Sequence, residues 1–371
     1  MKKILILGGS HSELPLVNEA KKLGLYTICI GNIKGNAHFA ADESYLIDYS
    51  NKELVLKFAK EKKVDYICFG AHDFSMISTA YVAEKLGFHQ FDAYDTTIKL
   101  HHKDRFKQVI LDHNLSTTKV YKYETCEEIK YPVIVKPIDL GGGKGITIVK
   151  DKIQLEKAIA YALECSKTKQ YIIEEFFYGS LHSISTFIVN KKIRFFYHDN
   201  EFNCPNNQFG VCLSISPSPS FALIKEQLLK EIEKVIKIFD LKDGLLHLQF
   251  LQNNDKFSII EFTRRIPGDM YNIPVELSTG LNYAKTIIKF AIGEKENILF
   301  QEQKRITGRY CVVDKNIIPK KNIFSQVKLI NATKQEIVFF EFSNTEYKDF
   351  IEKNNLIPNF NQMDNINEHT I

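Results

Sequence analysis

The sequence has no apolar run approaching the ~18 residues that a membrane-spanning helix needs. It also lacks any Cys-x-x-Cys pair, any internal repeat and any large excess of one charge. The first absence argues against a membrane protein. Seven cysteines stand singly, at Cys29, Cys68, Cys126, Cys165, Cys204, Cys212 and Cys311, an odd count without metal-ligand or redox spacing. Several lie in apolar runs such as Ile28-Cys29-Ile30, where cysteine serves as a small hydrophobe. Reduced thiols in a cytoplasmic protein are therefore expected. Lys and Arg number 49 against 45 Asp and Glu, so a net charge of +4 does not by itself argue for a nucleic-acid surface. The apolar run after Met1-Lys2-Lys3 stops at Gly8, which reads as a buried strand rather than a leader. What remains is a globular chain, 44% hydrophobic and 25% charged. Its 371 residues suggest two or three domains, at about 100–200 residues each.

The first 95 residues alternate short apolar runs (Ile4–Leu7, Tyr26–Ile30, Val64–Phe69) with amphipathic stretches (Glu13–Leu23, around Leu54 and Phe58, Ser78–Leu86). Such alternation predicts a parallel sheet covered on both faces, a Rossmann-like unit. Gly8-Gly9 is not the dinucleotide fingerprint, because Ser12-Glu13 stands where a third glycine belongs, and Gly31-Asn32 replaces the ribose-binding acid. His72-Asp73 follow the strand at 64–69, where open sheets present ligands, although Asp73 serves equally as a helix N-cap. Beyond residue 96 the pattern predicts one helix over Asp95–Asn114, strands at Thr118–Tyr123 and Pro132–Lys136, a helix over Leu155–Glu164 and a strand over Tyr171–Phe176. Residues 198–220 lack periodicity and read as a long functional loop. Lys225–Asp240 reads as an amphipathic helix, and Leu245–Leu251 with Phe257–Phe262 as a hairpin. The last 70 residues return to β runs and end in an Asn-rich tail, expected to fray over Asn359–Ile371.

Two segments carry chemistry. Pro132-Val133-Ile134-Val135-Lys136-Pro137 is followed by Asp139-Leu140-Gly141-Gly142-Gly143-Lys144-Gly145-Ile146. Clustered glycines let backbone N–H groups close on phosphate oxygens, with Lys136 and Lys144 adding positive charge. The loop is not a Walker motif, since Ile146 stands where Ser or Thr would bind magnesium, and a plain hairpin turn is the competing reading. In the predicted hairpin, His247, Gln249 and Leu251 share one face of their strand, and Glu261, Thr263 and Arg265 likewise share one face of theirs. A carboxylate between Ile260 and Phe262 needs a partner, either a hard metal ion held with Gln249 and Thr263 or an ion pair with Arg265. Arg264 either grips a substrate carboxylate or lies on the surface.

These pieces in this order resemble the ATP-grasp superfamily, most closely its carboxylate–amine ligases and carbamoyl-phosphate-synthetase-like branch. The carrying signals are Lys103 in His102-Lys103-Asp104, the Lys136 strand, the loop 139–146, the Ile172–Gly179 stretch and the Ile259–Arg265 ending. The resemblance implies an α/β and α+β chain, with a Rossmann-like pre-ATP-grasp domain (1–95) before a two-lobed ATP-grasp domain (96–300). The lobes would run over about 115–178 and about 179–300, followed by a small β-rich segment (301–371). It implies Lys103 and Lys136 on the nucleotide phosphates, and a lid with Gly141, Gly142, Gly143, Lys144 and Gly145. It further implies an adenine hinge at Glu174–Phe177, including Glu175, and Leu251 packed on the base. Gln249, Glu261 and Thr263 would hold Mg²⁺, with Mn²⁺ as an alternative. Arg265 would steady a phosphorylated intermediate, and with Lys136 it is the expected catalytic group. The implied function is ATP-dependent ligation of a carboxylate and an amine in a cytoplasmic protein. A homodimer would be in keeping with the superfamily, with small-molecule partners and neither nucleic acid nor membrane. A non-catalytic, regulatory ATP binder is the alternative. Two departures stand out: Leu181 occupies the usual ribose-binding carboxylate position, and Thr263 stands where Asn is usual.

Overall fold

The computed structural model describes residues 1–123, 128–140, 143–204, 207–268, 270–299, 303, 305–312, 323–328 and 336–353. The expected frayed tail lies outside the described residues. The chain begins β1 (Lys3–Leu7), α1 (Leu14–Lys22), β2 (Tyr26–Gly31), α2 (Asn36–Ala40), β3 (Glu43–Leu46), α3 (Lys52–Lys62), β4 (Tyr66–Cys68), α4 (Asp73–Leu86). The strands form a parallel sheet in the order β3-β2-β1-β4. Both faces of β1 are buried. Ile4 and Ile6 join Cys29, Cys68 and the α1 side chains Leu16, Val17 and Ala20. Leu5 and Leu7 join Ile28, Ile30 and the α3 and α4 side chains Val55, Ala59 and Val82. This two-sided burial is why the strands read as unbroken apolar runs. Helix α4 starts earlier than the periodicity indicates, with His72 rather than Asp73 at the N-cap.

Next come α5 (Tyr94–His101), α6 (Lys103–Asp112), β5 (Val120–Tyr121), β6 (Val133–Pro137), β7 (Thr147–Val149), α7 (Lys152–Cys165) and β8 (Tyr171–Glu175). The single helix expected over 95–114 is two, because His102 is extended (φ −91°, ψ 118°) and ends one while starting the other. Strands β5-β8-β6-β7 form an antiparallel sheet. Leu155, Ala158 and Ala162 of α7 pack on Val133, Val135, Val149 and Ile173. Asp151 caps α7 by accepting from the Gln154 N–H at 3.0 Å.

The remainder is β9 (Ser180–Val189), β10 (Lys192–Cys204), β11 (Asn207–Ser216), α8 (Lys225–Ile238), β12 (Gly244–Asn253), β13 (Lys256–Thr263), α9 (Asn272–Thr279), α10 (Tyr283–Ala291), β14 (Ile306–Cys311), β15 (Ile323–Lys328), β16 (Glu336–Phe342) and α11 (Asn344–Lys353). Its strands make one eight-stranded sheet, β13-β12-β9-β10-β11-β14-β16-β15. Helix α8 lays Leu228, Ile232, Val235 and Ile236 on the sheet side chains Ile184, Leu246, Leu248, Phe250 and Phe262. Each such burial is worth about 1.5–3 kcal/mol.

The long loop expected over 198–220 is instead mostly strand. Residues 198–204 finish β10 and 207–216 form β11, with a short 3-10 turn at Pro219–Leu223. The alternation is hidden because one face of β10 carries buried polar groups, Asp199 and Glu201, in place of apolar ones.

Candidate active site

The face of the eight-stranded sheet away from α8 is apolar around Phe187, Phe195 and Leu245 and polar farther along the strands, and the strand register decides which side chains share that polar part. Gln249 lies opposite both Glu261 and Ser183, His247 opposite Thr263 and Ser185, and Leu251 opposite Leu181. The β12–β13 ladder shifts register between Gln249 and Phe250, so that Phe250 pairs with Ile259 and Gln249 with Glu261. Ile260 is the extra residue of this β-bulge. Without it, Ile259 and Glu261 would point the same way. With it, Ile259 enters the α8 core while Glu261 faces the other side.

Glu261 is half-buried, and among the described residues no hydrogen bond or ion pair engages its carboxylate. Its expected rival partner, Arg265, turns elsewhere: Arg265 Nε donates to Asp73 Oδ1 of α4 at 2.8 Å. Gln249 Nε2 donates to Glu201 Oε2 at 2.6 Å, leaving its amide oxygen for another group. Thr263 Oγ1 accepts from the Arg265 N–H at 3.3 Å. Among the described residues no three His, Cys, Asp or Glu side chains cluster as metal ligands. The donors here are instead an amide oxygen, a hydroxyl and one unengaged carboxylate. That set suits a hard cation whose other ligands are phosphate oxygens.

A second cluster sits where β6, β8 and α6 meet, just before the Gly-rich loop in the chain. Glu174, on β8, is buried and takes Lys136 Nζ on Oε1 and Lys107 Nζ on Oε2, both at 2.7 Å. Thr118 Oγ1 also donates to it, at 2.8 Å. Burial pushes the Glu174 carboxyl up, but the two lysines outweigh it and hold it at about 2. Burial, opposed by Glu174 and reinforced by Lys136, lowers Lys107. One carboxylate between two lysines leaves a net positive charge, which suits a polyanion. Lys107 is the member that sequence reasoning missed; its place one turn after Lys103 on α6 was the available signal.

Lys103 Nζ donates to the Leu140 carbonyl at the entrance of the loop. Gly143, Lys144 and Gly145 belong to the β6–β7 connection, with Lys144 exposed. Gly145 has φ +78°, and a Cβ there would lie 2.7 Å from Pro137 Cγ. Gly141 and Gly142 lie outside the described residues. Glu174 closes β8 with Glu175, which is exposed, while Phe177 and Leu251 are half-buried. Leu181 and Leu251 pair across β9 and β12 as an apolar pair, in keeping with the departure noted at Leu181.

The arginines part company. Arg264 is buried and structural, neither gripping a substrate nor lying on the surface. Its Nε meets Asp92 Oδ2 at 2.8 Å, its Nη1 donates to the Leu245 carbonyl at 2.6 Å and its Nη2 to that of Lys242 at 2.7 Å. The polar part of the sheet also carries two acids that the sequence reading did not single out. Asp199 and Glu201 alternate on β10, both buried, with Ser183 donating to Asp199. Burial drives Asp199 up to about 6, against Ser183 and Arg309. Burial and the nearby Asp199 raise Glu201 to about 8. The signal available was their spacing of two.

Residues 103–299 match the family model for the carbamoyl-phosphate synthase L chain, ATP binding domain. Over 184 residues the chain is 27% identical to a formate-dependent phosphoribosylglycinamide formyltransferase of Sulfurovum sp., covering 47% of each protein. The match thus spans about half the length of this curated relative. By fold, the chain is similar to phosphoribosylglycinamide synthetase from Anaerococcus prevotii, with TM-score 0.75, 21% identity and coverage of 96% and 98%. It is also similar in fold to the L-amino acid ligase from Bacillus licheniformis, with TM-score 0.76, 18% identity and coverage of 95% and 96%.

Proposed function

The chain belongs to the carbamoyl-phosphate synthase L chain ATP-binding family, and from that membership and the site geometry we propose that it is a ligase joining a small carboxylate to an amine at the expense of ATP. The observation that carries the reading is the unengaged Glu261 beside Gln249, with Arg265 two residues beyond Thr263 on the same hairpin. The names of the similar proteins support the reading, one being formate-dependent and the other a ligase of L-amino acids.

Lys103 and Lys136 bind the phosphates, Glu174, shared with Lys107, directs Lys136, and the Gly-rich loop closes over them. Leu251 and Leu181 bear the base, beside the hinge at Glu174–Phe177. Gln249, Glu261 and Thr263 hold Mg²⁺ or Mn²⁺, which supplies charge to neutralise the phosphates in transfer. A carboxylate oxygen attacks the γ-phosphorus and ADP leaves, giving an acyl phosphate whose charge Arg265 steadies. The amine then attacks the acyl carbon, expels phosphate and gives up a proton, forming an amide. Positioning and charge suffice for the first step, so no protein nucleophile is required. The loop keeps water from the acyl phosphate. The proposal includes domains at 1–95 and 96–300 with a C-terminal segment at 301–371, a cytoplasmic location and a homodimer, with small-molecule partners rather than nucleic acid or membrane.

The test is ADP formation from Mg-ATP across a panel of carboxylates, formate and amino acids included, each paired with amines. Stimulation by one pair, with an amide product by mass, supports a ligase. Tight ATP binding without stimulation by any pair points to a regulatory binder instead.

A further inference from the structure

The first domain and the ATP-binding region meet through a closed ring of hydrogen bonds. The backbone N–H of Arg264 approaches His101 Nε2 at 3.4 Å, so that nitrogen is the acceptor and Nδ1 carries the proton. Nδ1 then donates to Asp73 Oδ1 at 3.1 Å. The same oxygen receives Arg265 Nε at 2.8 Å. His101 comes from the end of α5, Asp73 from the first turn of α4, and the arginines from the end of the β12–β13 hairpin. The ring therefore ties the direction of one guanidinium to the seating of the N-terminal domain.

We propose that Asp73, itself oriented by His101, is the positioning residue for Arg265, turning its guanidinium toward the transferring phosphoryl group. The inference rests on the reading of Arg265 given above. Three observations carry it. Asp73 takes only the Nε edge of Arg265, and the Ile266 carbonyl takes Nη1 at 3.3 Å, which fixes the plane while no described residue takes Nη2. The ring nitrogens of His101 are both engaged, and its side chain is 1% exposed, so it holds Asp73 in one place. Stability does not require the contact. The junction is already closed by the buried Arg264–Asp92 pair and by an apolar cluster joining Leu16, Val17 and Met76 to Leu245, Ile266 and Ile287. Asp73 is 44% exposed, so water offsets part of the charge left on Arg265 when the pair is broken.

The experiment uses the full chain and two probes, MgADP alone and MgADP with aluminium fluoride, a mimic of the phosphoryl group in transfer. Asp73→Asn and His101→Leu are expected to keep MgADP affinity within about threefold and the melting temperature within about 2 °C. Both are expected to weaken the aluminium fluoride complex at least ~10-fold, as Arg265→Ala does. Asp73→Asn added to Arg265→Ala should cost nothing further, because both remove one coupled element. His101→Asn, whose amide replaces Nδ1, should retain more affinity than His101→Leu. Unchanged fluoride binding in Asp73→Asn overturns the proposal while leaving the ligase reading intact. Equal loss for both probes with a fall in melting temperature also overturns it, by showing a structural role. A wild-type chain that binds no MgADP overturns the ligase reading and this inference with it.

Discussion

Glu174→Gln tests the Lys107–Glu174–Lys136 cluster most directly. The native carboxylate compensates two ammonium groups, each 2.7 Å away, on lysines whose side chains are 3% and 9% exposed. The substitution keeps the shape and removes the charge. Breaking a buried pair by deleting one partner costs about 3–5 kcal/mol, because the other charge stays buried and uncompensated. At about 2–4 °C per kcal/mol for a unit of this size, melting without nucleotide should fall by about 6–20 °C. If the two lysines meet the phosphates, Mg-ATP supplies the missing negative charge, so its stabilising shift should be larger in the variant than in wild type. Glu174 sits at about 2 in the fold, below the ~4.3 of an unfolded glutamate. Its contribution is therefore fully present above about pH 4.5 and is lost as pH falls toward 2. The gap between wild type and Glu174→Gln should close over that window. Scanning fluorimetry with and without Mg-ATP, repeated across pH, measures all three effects. A melting point within 2 °C of wild type without nucleotide would refute the charge argument. An unchanged nucleotide shift would separate the cluster from the phosphates.

Glu261→Ala should reduce ADP formation at least ~10²-fold, with melting little changed because its carboxylate makes no hydrogen bond or ion pair with a described residue and meets Arg265 only through a longer-range attraction. Arg264→Ala should destabilise by about 3–5 kcal/mol in thermal melts, stranding Asp92. Arg264→Lys should recover little, since an ammonium cannot reproduce three directed bonds. Gly145→Ala should slow turnover, because the backbone at φ +78° disfavours a side chain and Pro137 and Cys165 leave it no room; steady-state rates at saturating ATP decide this. Gln249→Glu sets a second acid at the present 2.6 Å contact with Glu201. Because burial holds Glu201 at about 8, the two acids share a proton below that pH and repel above it. The variant should therefore melt lower than wild type above about pH 8 and regain stability as Mg²⁺ is added.

The parallel N-terminal sheet was legible in the amino-acid order alone, because strands buried on both faces must be apolar throughout. Helix α8 and the β12–β13 hairpin were legible too, since local period and turn residues agree there with the fold. Lys136 and Glu261 stood out as candidates because each is a charged residue in an apolar strand run, whereas Lys103, between His102 and Asp104, was marked only by the family resemblance. Contacts between distant segments were not legible. Glu174 on β8 meets Lys107 on α6, and Arg265 meets Asp73 across 192 positions. The end of β10 and all of β11 read as loop, because one face of β10 carries the buried Asp199 and Glu201 there, and pattern reading takes burial to mean apolar. The bulge at Ile260 is the sharpest case. Strict alternation would place Ile259 and Glu261 on one face, and only pairing with β12 separates them, sending one to the core and the other to the site. Local periodicity fixes which residues can share a face. Which face becomes the core, and which carboxylate is left without a partner, is decided when the domains and strands dock.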